Sequence, residues 1–436
     1  MSDTLEMIEP EESDPNHVKV PASTKISLYL VAGLSQCASF IGRTFIGLYA
    51  VFIESTASAL SLITSLRELI QQVFQFTFGR ISDRIGRKIM MFIGLIGTAV
   101  SIALFPLIQN GWVLVGGVAI FSISFSIYYP AFAAIQGDLT NRKNRAGFIS
   151  FITIIGAFAT LIGLLVVGFA SDIGNTERAQ YIIILEITAG IFLVSAIVTL
   201  FLHDPPREML KEKQPFSFDP IRKNPTFRRF VIINSIMSFA MSIGWPIFPI
   251  VRGNFASAKE NTWIWAVFAI FQIITLFGTY KIVNKIKRKW LVYLGRVLMF
   301  YVPLNMALTI LYWPAWWHMA IAGAISGACN SLYLVGQNTY ILDCAGEKEK
   351  GTYTGVHNLF IGLSTFIGSL IMGIIADALI ARFDEWTIII ILNLVISGVR
   401  FIAGFGFFLI KEPKHMHIIE ESPTITTEEE SVLTEG

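Results

Sequence analysis

Charged residues are scarce in this 436-residue chain. Only 15% of the residues are Asp, Glu, Lys or Arg, whereas 54% are hydrophobic, and the mean hydropathy is +0.62. A soluble chain of this length would form about three domains with roughly 25% charged residues. The composition therefore excludes an ordinary soluble protein and indicates that lipid surrounds most of the chain. A net charge of +2 gives no sign of a nucleic-acid partner.

Cysteines and enzyme motifs are also rare or missing. The three cysteines, Cys37, Cys329 and Cys344, show no spacing typical of a disulfide framework or a metal site, so we expect free thiols. The sequence contains no phosphate-binding loop, metal-ligand pattern or nucleophile elbow. Its first residues are acidic rather than basic, which argues against a cleavable signal peptide. We expect no enzymatic activity, no cofactor and no metal.

Long apolar runs dominate what remains. A helix needs about 20 apolar residues to cross a bilayer, and barrel strands would show a period-two alternation that is absent here. The sequence therefore predicts an all-α polytopic membrane protein with 12 transmembrane helices. The predicted spans are 27–53, 57–78, 89–108, 112–137, 146–170, 180–202, 229–252, 261–283, 290–312, 315–341, 351–378 and 386–410.

Lys and Arg are concentrated in alternate loops. The basic loops are 80–88, 142–145, 207–229, 281–289 and 348–350. The positive-inside rule places these loops and both termini in the cytoplasm. The predicted organisation is a cytoplasmic tail (1–26), a six-helix half (27–202), a cytoplasmic linker (203–228), a second six-helix half (229–410) and a cytoplasmic tail (411–436). We expect an integral protein of the plasma or inner membrane.

The two halves repeat each other in sequence. At an offset of 205 residues, Ser126-Ile127-Tyr128, Asp138, Gly163, Gly168 and Asp172 match Ser331-Leu332-Tyr333, Asp343, Gly368, Gly373 and Asp377. An offset of 201 aligns Arg80, Asp83, Arg84, Arg87, Lys88 and Gly94 with Lys281, Asn284, Lys285, Arg288, Lys289 and Gly295. Parallel repeats predict two similarly oriented bundles with a substrate site between them. We interpret the repeated glycines as sites of close helix packing, and the aspartates as caps or gate contacts.

A short run of glycines and charges separates the second and third apolar segments. Its pattern, G-x-x-x-D-R-x-G-R-K over residues 79–88, resembles the loop between helices 2 and 3 of the major facilitator superfamily. The resemblance implies the fold of that family, and a gate in which Asp83 faces the start of helix 11 near Gly351. A carboxylate is favoured at a helix N-terminus by about 0.3–1 kcal/mol, which is a breakable contact. The predicted gate residues are Gly79, Arg80, Asp83, Arg84, Gly86, Arg87, Lys88, Asn284 and Arg288.

The same loop has a simpler interpretation, in which it is solvated and only sets the topology. In the second half, Asn284 stands at the acidic position and Lys287 replaces the glycine. We therefore expect the second gate to be weaker than the first or electrostatically different from it.

Ionisable residues inside spans are costly, and they direct the search for mechanism. Arg43 on helix 1 is level with Arg67 and Glu68 on helix 2, so Arg43 and Glu68 are predicted to pair. The pair is either a structural bridge or a coupling site at which protonation of Glu68 releases Arg43 for an anionic solute. His357 is the second candidate for proton coupling, because its repeat mate is the apolar Ile152; alternatively it is a packing residue.

Polar side chains recur along the helices that the family resemblance implies line the central cavity. The candidate cavity residues are Arg43, Arg67, Gln71, Tyr128, Tyr129, Asn234, Asn330, Tyr333 and Gln337. Interhelical hydrogen bonding away from any cavity is the alternative for each of them.

The resemblance stops short of a subfamily. Proton-driven drug antiporters of the superfamily carry an arginine in helix 4 and a proline-containing glycine motif in helix 5; here Trp112–Gln136 lacks the arginine and helix 5 lacks the proline. We predict a monomeric secondary transporter of a small organic solute, working by rocking of the two halves, with proton-coupled export or exchange. The alternatives are a facilitative uniporter and a non-transporting binding or sensing protein with the same fold.

Overall fold

Long helices make up nearly all of the structure, a computed structural model that describes residues 22–138, 145–202, 217–282, 286–345 and 350–413. The helices are α1 (Ala22–Phe52), α2 (Ala57–Ile85), α3 (Arg87–Leu104), α4 (Gly111–Asp138), α5 (Arg145–Ser171), α6 (Glu177–Thr199), α7 (Asp219–Lys223), α8 (Pro225–Ser242), α9 (Phe248–Phe255), α10 (Ala258–Ile282), α11 (Arg288–Val297), α12 (Tyr301–Leu311), α13 (Trp316–Cys344), α14 (Lys350–Ile380) and α15 (Glu385–Phe405). Every regular element in these ranges is helical, as the sequence predicted.

Ten stretches of the described residues are long and apolar enough to cross a membrane. The other two predicted crossings correspond to α2, which carries several charges, and to α8 with α9, which are separated by a break. At about 1.5 Å per residue, each is still long enough to span the roughly 30 Å hydrocarbon layer. The fold is therefore that of an integral membrane protein, and the count of twelve stays a prediction for these two crossings.

The break between α8 and α9 was not foreseen, because the sequence predicted one span over 229–252. Residues 243–247 leave the helix, and the guanidinium group of Arg400 on α15 fills the gap. It donates hydrogen bonds to the carbonyls of Ala240 (3.2 Å) and Met241 (2.6 Å), and it lies over the ring of Phe248. Arg400 is 1% exposed, so it bridges the break rather than reaching for the membrane surface.

The segment 79–88 also differs from the prediction of a loop. Helix α2 continues to Ile85, so Gly79, Arg80, Asp83 and Arg84 belong to its last two turns. Only Gly86 turns the chain, with φ of 128°, a value that side chains other than hydrogen rarely allow. The glycine spacing thus marks one tight turn between two helices, with the charges before it on helical backbone.

Both halves use the same helix contacts. A Cβ atom on Gly94 of α3 would lie 2.5 Å from the backbone nitrogen of Tyr128 on α4, and one on Gly295 of α11 would lie 2.6 Å from that of Tyr333 on α13. These four residues are the repeat pairs found in the sequence. The glycines are required because the backbones approach too closely for a side chain, as predicted.

The interface between the halves is also repeated. Helix α2 packs along α14, and α10 packs along α5. A Cβ on Gly168 would lie 2.5 Å from Thr262 Oγ1, and one on Gly373 would lie 2.6 Å from Ser61 Cβ. Because Ser61 and Thr262 are themselves 201 residues apart, the two crossings are related by the internal symmetry.

Successive membrane crossings run in opposite directions, which defines two ends of the bundle. We call the end that carries residues 53–56 the distal end and the end that carries Gly86 the proximal end. Large apolar side chains such as Ile120, Ile162 and Phe169 are more than half exposed between these ends. On a soluble protein such a surface would aggregate, whereas here it is the surface that faces lipid.

Candidate functional site

Four polar side chains of the first half meet inside the membrane region. One carboxylate oxygen of Glu68 lies 3.2 Å from Arg67 Nη2 and 3.6 Å from Arg43 Nη1, and Arg43 Nη2 donates to Gln71 Oε1 at 2.9 Å. We call Arg43, Arg67, Glu68 and Gln71 the charged cluster. The predicted pairing of Arg43 with Glu68 is present, because four residues connect α1 to α2 and place the two side chains at the same depth.

The charged cluster has more donors than acceptors. Two guanidinium groups share one carboxylate, and the buried Nε of Arg67 and Nε2 of Gln71 have no hydrogen-bond partner within the described residues. The Arg67 side chain is 10% exposed and that of Arg43 is 36% exposed, with its guanidinium group 5.7 Å from the Phe125 ring centre. With Glu68 ionised the cluster carries one net positive charge, which suits an additional anion.

In the second half, four polar side chains without an acidic group form a second hydrogen-bonded group, and the guanidinium group of Arg296 lies over the ring of one of them, Tyr333. The Nδ2 atom of Asn234 lies within 3.1 Å of Tyr333 Oη, Gln337 Oε1 and His357 Nε2, which is more acceptors than its two N–H groups can serve at once, and Tyr333 also hydrogen bonds to Gln337. We call these four residues the neutral cluster. Asn234 and His357 are at most 1% exposed, so the cluster lies within the second bundle.

The partners of His357 suit a neutral imidazole. Its Nε2 lies 2.8 Å from Asn234 Nδ2 and its Nδ1 lies 3.2 Å from Asn358 Oδ1, so a tautomer that accepts at Nε2 and donates at Nδ1 fits both contacts. The ring stacks on Phe230 with centres 5.7 Å apart. All polar atoms of this histidine therefore have partners without an added proton.

The remaining candidate cavity residues lie apart from both clusters. Tyr128 is 2% exposed and shares a 2.6 Å hydrogen bond with Ser35, whereas Tyr129 on the next position of α4 is 47% exposed. Asn330 is half-buried on α13, one turn before Tyr333. Three candidate cavity residues lie on α13. Tyr333 and Gln337 belong to the neutral cluster, and Asn330 lies outside it.

The repeated aspartates connect the two halves at the distal end. Asp377 on α14 accepts hydrogen bonds from the backbone nitrogens of Ala57 (2.7 Å) and Ser58 (2.9 Å), the first residues of α2. Its repeat mate, Asp172, lies 2.7 Å from Lys259 Nζ near the start of α10. We call these contacts the two distal latches; both have the character of the caps or gate contacts predicted for these residues.

The predicted proximal gate is described only in part. Asn284 and the side chains of Arg80 and Asp83 lie outside the described residues. In the second half, Arg288 Nε lies 3.3 Å from Asp343 Oδ2. This ion pair joins α11 to α13 within one half.

The chain belongs to the Major Facilitator Superfamily. The family model matches residues 32–244 and again residues 230–431, so each half is recognised separately. Members of this family are transporters, and the family membership confirms the resemblance carried by residues 79–88.

Curated relatives are distant. The chain is 24% identical over 216 residues to the multidrug resistance protein MdtH of Proteus mirabilis (strain HI4320), covering 49% of this chain and 52% of that protein. It is 22% identical over 329 residues to the quinolone resistance protein NorA of Staphylococcus aureus (strain MRSA252), covering 74% of this chain and 82% of that protein. The chain thus matches about half the length of MdtH and most of NorA.

Solved structures show the same fold at low identity. A mutant form of the nucleoside transporter NupG superposes with a TM-score of 0.71 at 13% identity, covering 89% of this chain and all of that one. A D-xylose-proton symporter gives 0.68 at 14% identity, covering 90% and 98%.

Sequence reasoning missed one cation near the interface between the halves. The guanidinium group of Arg252 on α9 lies 4.3 Å from the ring centre of Trp265 on α10, and Trp265 contacts Phe40 of α1 edge-on at 5.3 Å. A span ending at 252 placed this arginine at the membrane surface. The signal that was overlooked is Pro246 with Pro249, which indicates a broken helix whose second part turns inward.

Proposed function

We propose that the protein is a proton-coupled secondary transporter of a small organic solute, and that Glu68 is the proton site. The observation that carries the proposal is the single Glu68 oxygen shared by Arg43 and Arg67. An ionised Glu68 offsets one of the two positive charges and holds one nitrogen of each arginine near a single oxygen. A protonated Glu68 leaves the arginines to bind an anionic group, so proton binding and anion binding favour each other.

The charge of the solute sets the direction of coupling. An anionic solute binds together with the proton, and both move in the same direction. A cationic solute competes with the proton for Glu68, and the two move in opposite directions, as export by exchange requires. The net positive charge of the charged cluster favours the anion.

The neutral cluster supports Glu68 over His357 as the proton site. His357 is buried, stacks on the Phe230 ring and has the side chains of Asn234 and Asn358 as hydrogen-bond partners, and a cation, Arg296, lies over the ring of the neighbouring Tyr333. A proton added there would need the Asn234 amide to rotate, because both groups would then be donors. The charged cluster needs no such rearrangement.

Rocking of the halves fits the contacts between them. The distal latches are few and polar, and they connect helix ends, so they are contacts that can break and re-form. We propose that Asp83 at the end of α2 supplies the opposing contact at the proximal end, with Arg84, Arg87 and Lys88 beside it. Breaking one set of contacts while the other forms would alternate access to the interface.

A binding screen followed by transport tests this function. Thermal unfolding of the purified chain is measured with organic anions, organic cations, sugars and amino acids; a ligand at about 100 times its Kd stabilises by about 2.7 kcal/mol. The purified chain is then placed in liposomes, and uptake of the best ligand is measured with and without a pH gradient. We expect the wild type to accumulate it against its gradient when protons flow.

The matched variants are Glu68→Gln and His357→Gln. Glu68→Gln should abolish proton-driven accumulation while exchange of labelled for unlabelled solute continues, because exchange needs no proton release. Accumulation by Glu68→Gln at the wild-type level would show that Glu68 does not couple. Ligand binding without exchange in any variant or the wild type would indicate a receptor instead of a transporter.

A further inference from the structure

A basic cavity of about 550 Å³ opens at the proximal end of the second half. It lies where the starts of α8 and α11 meet the chain that follows α15. Its lining consists of Arg229, Lys287, Lys289, Trp290, Phe408, Leu409, Ile410, Lys411 and Glu412. It is remote from the charged cluster, and its function does not depend on the proposed transport mechanism.

The charges of this lining are unbalanced. Four side chains are cationic, and Glu412 is the one acid in the lining. That carboxylate is already engaged, because its two oxygens accept from the backbone nitrogens of Arg288 (2.7 Å) and Lys289 (3.2 Å) at the start of α11. Like charges gathered around one space repel each other, so the cavity favours an anion.

Two of the cations are held by backbone carbonyls. Arg229 Nη1 donates to Leu409 O at 3.2 Å, and Lys289 Nζ donates to Phe408 O at 3.2 Å. Each retains further N–H groups for a ligand. The Lys287 ammonium group has no hydrogen bond or ion pair within the described residues.

One side of the cavity is apolar. The Trp290, Phe408 and Leu409 side chains are 39%, 42% and 65% exposed, and the rings of Trp290 and Phe408 meet edge-on at 5.6 Å. Tryptophan beside lysine is typical of the level at which headgroups meet acyl chains. The cavity therefore presents cations on one side and lipid-facing surface on the other.

We propose that this basic cavity binds the phosphate headgroup of an anionic glycerophospholipid. The phosphate would be held by Arg229, Lys287 and Lys289, with the acyl chains passing over Phe408 and Leu409. Basic pockets between helices on the cytoplasmic side are suited to such headgroups, and the basic loops predict that the proximal end is cytoplasmic. A soluble phosphate would leave the apolar side uncovered.

Nanodiscs separate the possible occupants. The 436-residue chain is placed in discs of phosphatidylcholine alone or with one-third phosphatidylglycerol, and retained lipids are counted by native mass spectrometry. We expect one tightly retained phosphatidylglycerol and a higher unfolding temperature in its presence. The Arg229→Gln/Lys287→Gln double variant should weaken that retention at least fivefold while remaining folded in phosphatidylcholine, because both residues are exposed.

The control variant is Lys25→Gln, which removes a cation from the proximal end of the first half. It should retain phosphatidylglycerol like the wild type. If both variants lost retention equally, the effect would come from general surface charge, and the proposal would be overturned. Stabilisation by inorganic phosphate in phosphatidylcholine discs would assign a soluble anion instead. No lipid preference, with the double variant less stable in both kinds of disc, would assign the cavity to the acidic segment 414–436.

Discussion

The two halves of the protein share their packing and differ in their buried chemistry. Gly94 and Gly295 admit the same close helix crossing in each half, yet the first half brings together two arginines and a glutamate. The second half brings together two amides, a phenol and an imidazole, with the Arg296 guanidinium group over the phenol ring. The close helix crossing requires glycine in both halves, whereas side chains away from the crossing can differ between them. On this difference we base the proposal that the first half carries proton coupling.

A second contrast concerns the first helix of each half. Helix α1 is continuous over 31 residues, whereas its counterpart is divided into α8 and α9. At the matching repeat position on the last helix, Ser195 approaches Val31 O at 3.5 Å, and Arg400 binds the free carbonyls at the break. A broken helix leaves carbonyls unpaired in lipid, so it needs a donor that a continuous helix does not.

The largest expected effect comes from removing the donor at the break between α8 and α9. Arg400→Leu leaves the carbonyls of Ala240 and Met241 buried without a donor, at about 1–3 kcal/mol each. We expect the free energy of unfolding to fall by about 3 kcal/mol, against less than about 1 kcal/mol for Ser195→Ala. Denaturant unfolding in detergent measures both. Equal small losses of unfolding free energy in the two variants would mean that water hydrogen bonds to the carbonyls at the break.

The two distal latches also differ, since one is a helix cap and the other an exposed ion pair. Asp377→Asn removes the negative charge at the start of α2, which we expect to cost about 1 kcal/mol. That change corresponds to a roughly fivefold larger population of molecules open at the distal end. Distances between spin labels at Asn175 and Arg382, exposed on opposite halves, report this opening. An unchanged distribution would show that packing alone closes this end.

Asp172→Asn should act more weakly. The Asp172 and Lys259 side chains are 51% and 38% exposed, and exposed pairs contribute about 0–1 kcal/mol. We expect less than a twofold change in the population open at the distal end, measured with the same spin labels, and a smaller change at about 1 M salt, which weakens exposed ion pairs. A shift as large as that of Asp377→Asn would contradict the contrast between cap and ion pair.

The smallest effect is expected in the neutral cluster. His357→Gln preserves a hydrogen-bonding side chain, so the pH dependence of transport from about pH 5.5 to about pH 8 should match the wild type. Solute uptake in liposomes at fixed solute concentration measures it. If His357→Gln lost the change in uptake at the acidic end of this pH range while Glu68→Gln kept it, proton coupling would belong to the second half.

The sequence was a good guide to the repeat and to one ion pair. Glycine spacing located the crossings, and the short loop between α1 and α2 placed Arg43 opposite Glu68. It was a poor guide where backbone departs from a straight helix. The charges before Gly86 looked like a loop but continue α2, because glycine, not charge, ends a helix. The break between α8 and α9 was not predicted, and Arg400, which fills it, is far away in sequence.

The amino-acid sequence by itself determined the solvent, the helices and the twofold repeat, because hydropathy and glycine spacing are local properties that repeat along the chain. Tertiary structure decided which polar groups meet. The sharing of Glu68 between two arginines, the isolation of His357 and the basic cavity around Lys287 each depend on helices brought together from distant positions. The role of a charged side chain in a membrane depends on the groups that it contacts, and these contacts form only when the helices pack.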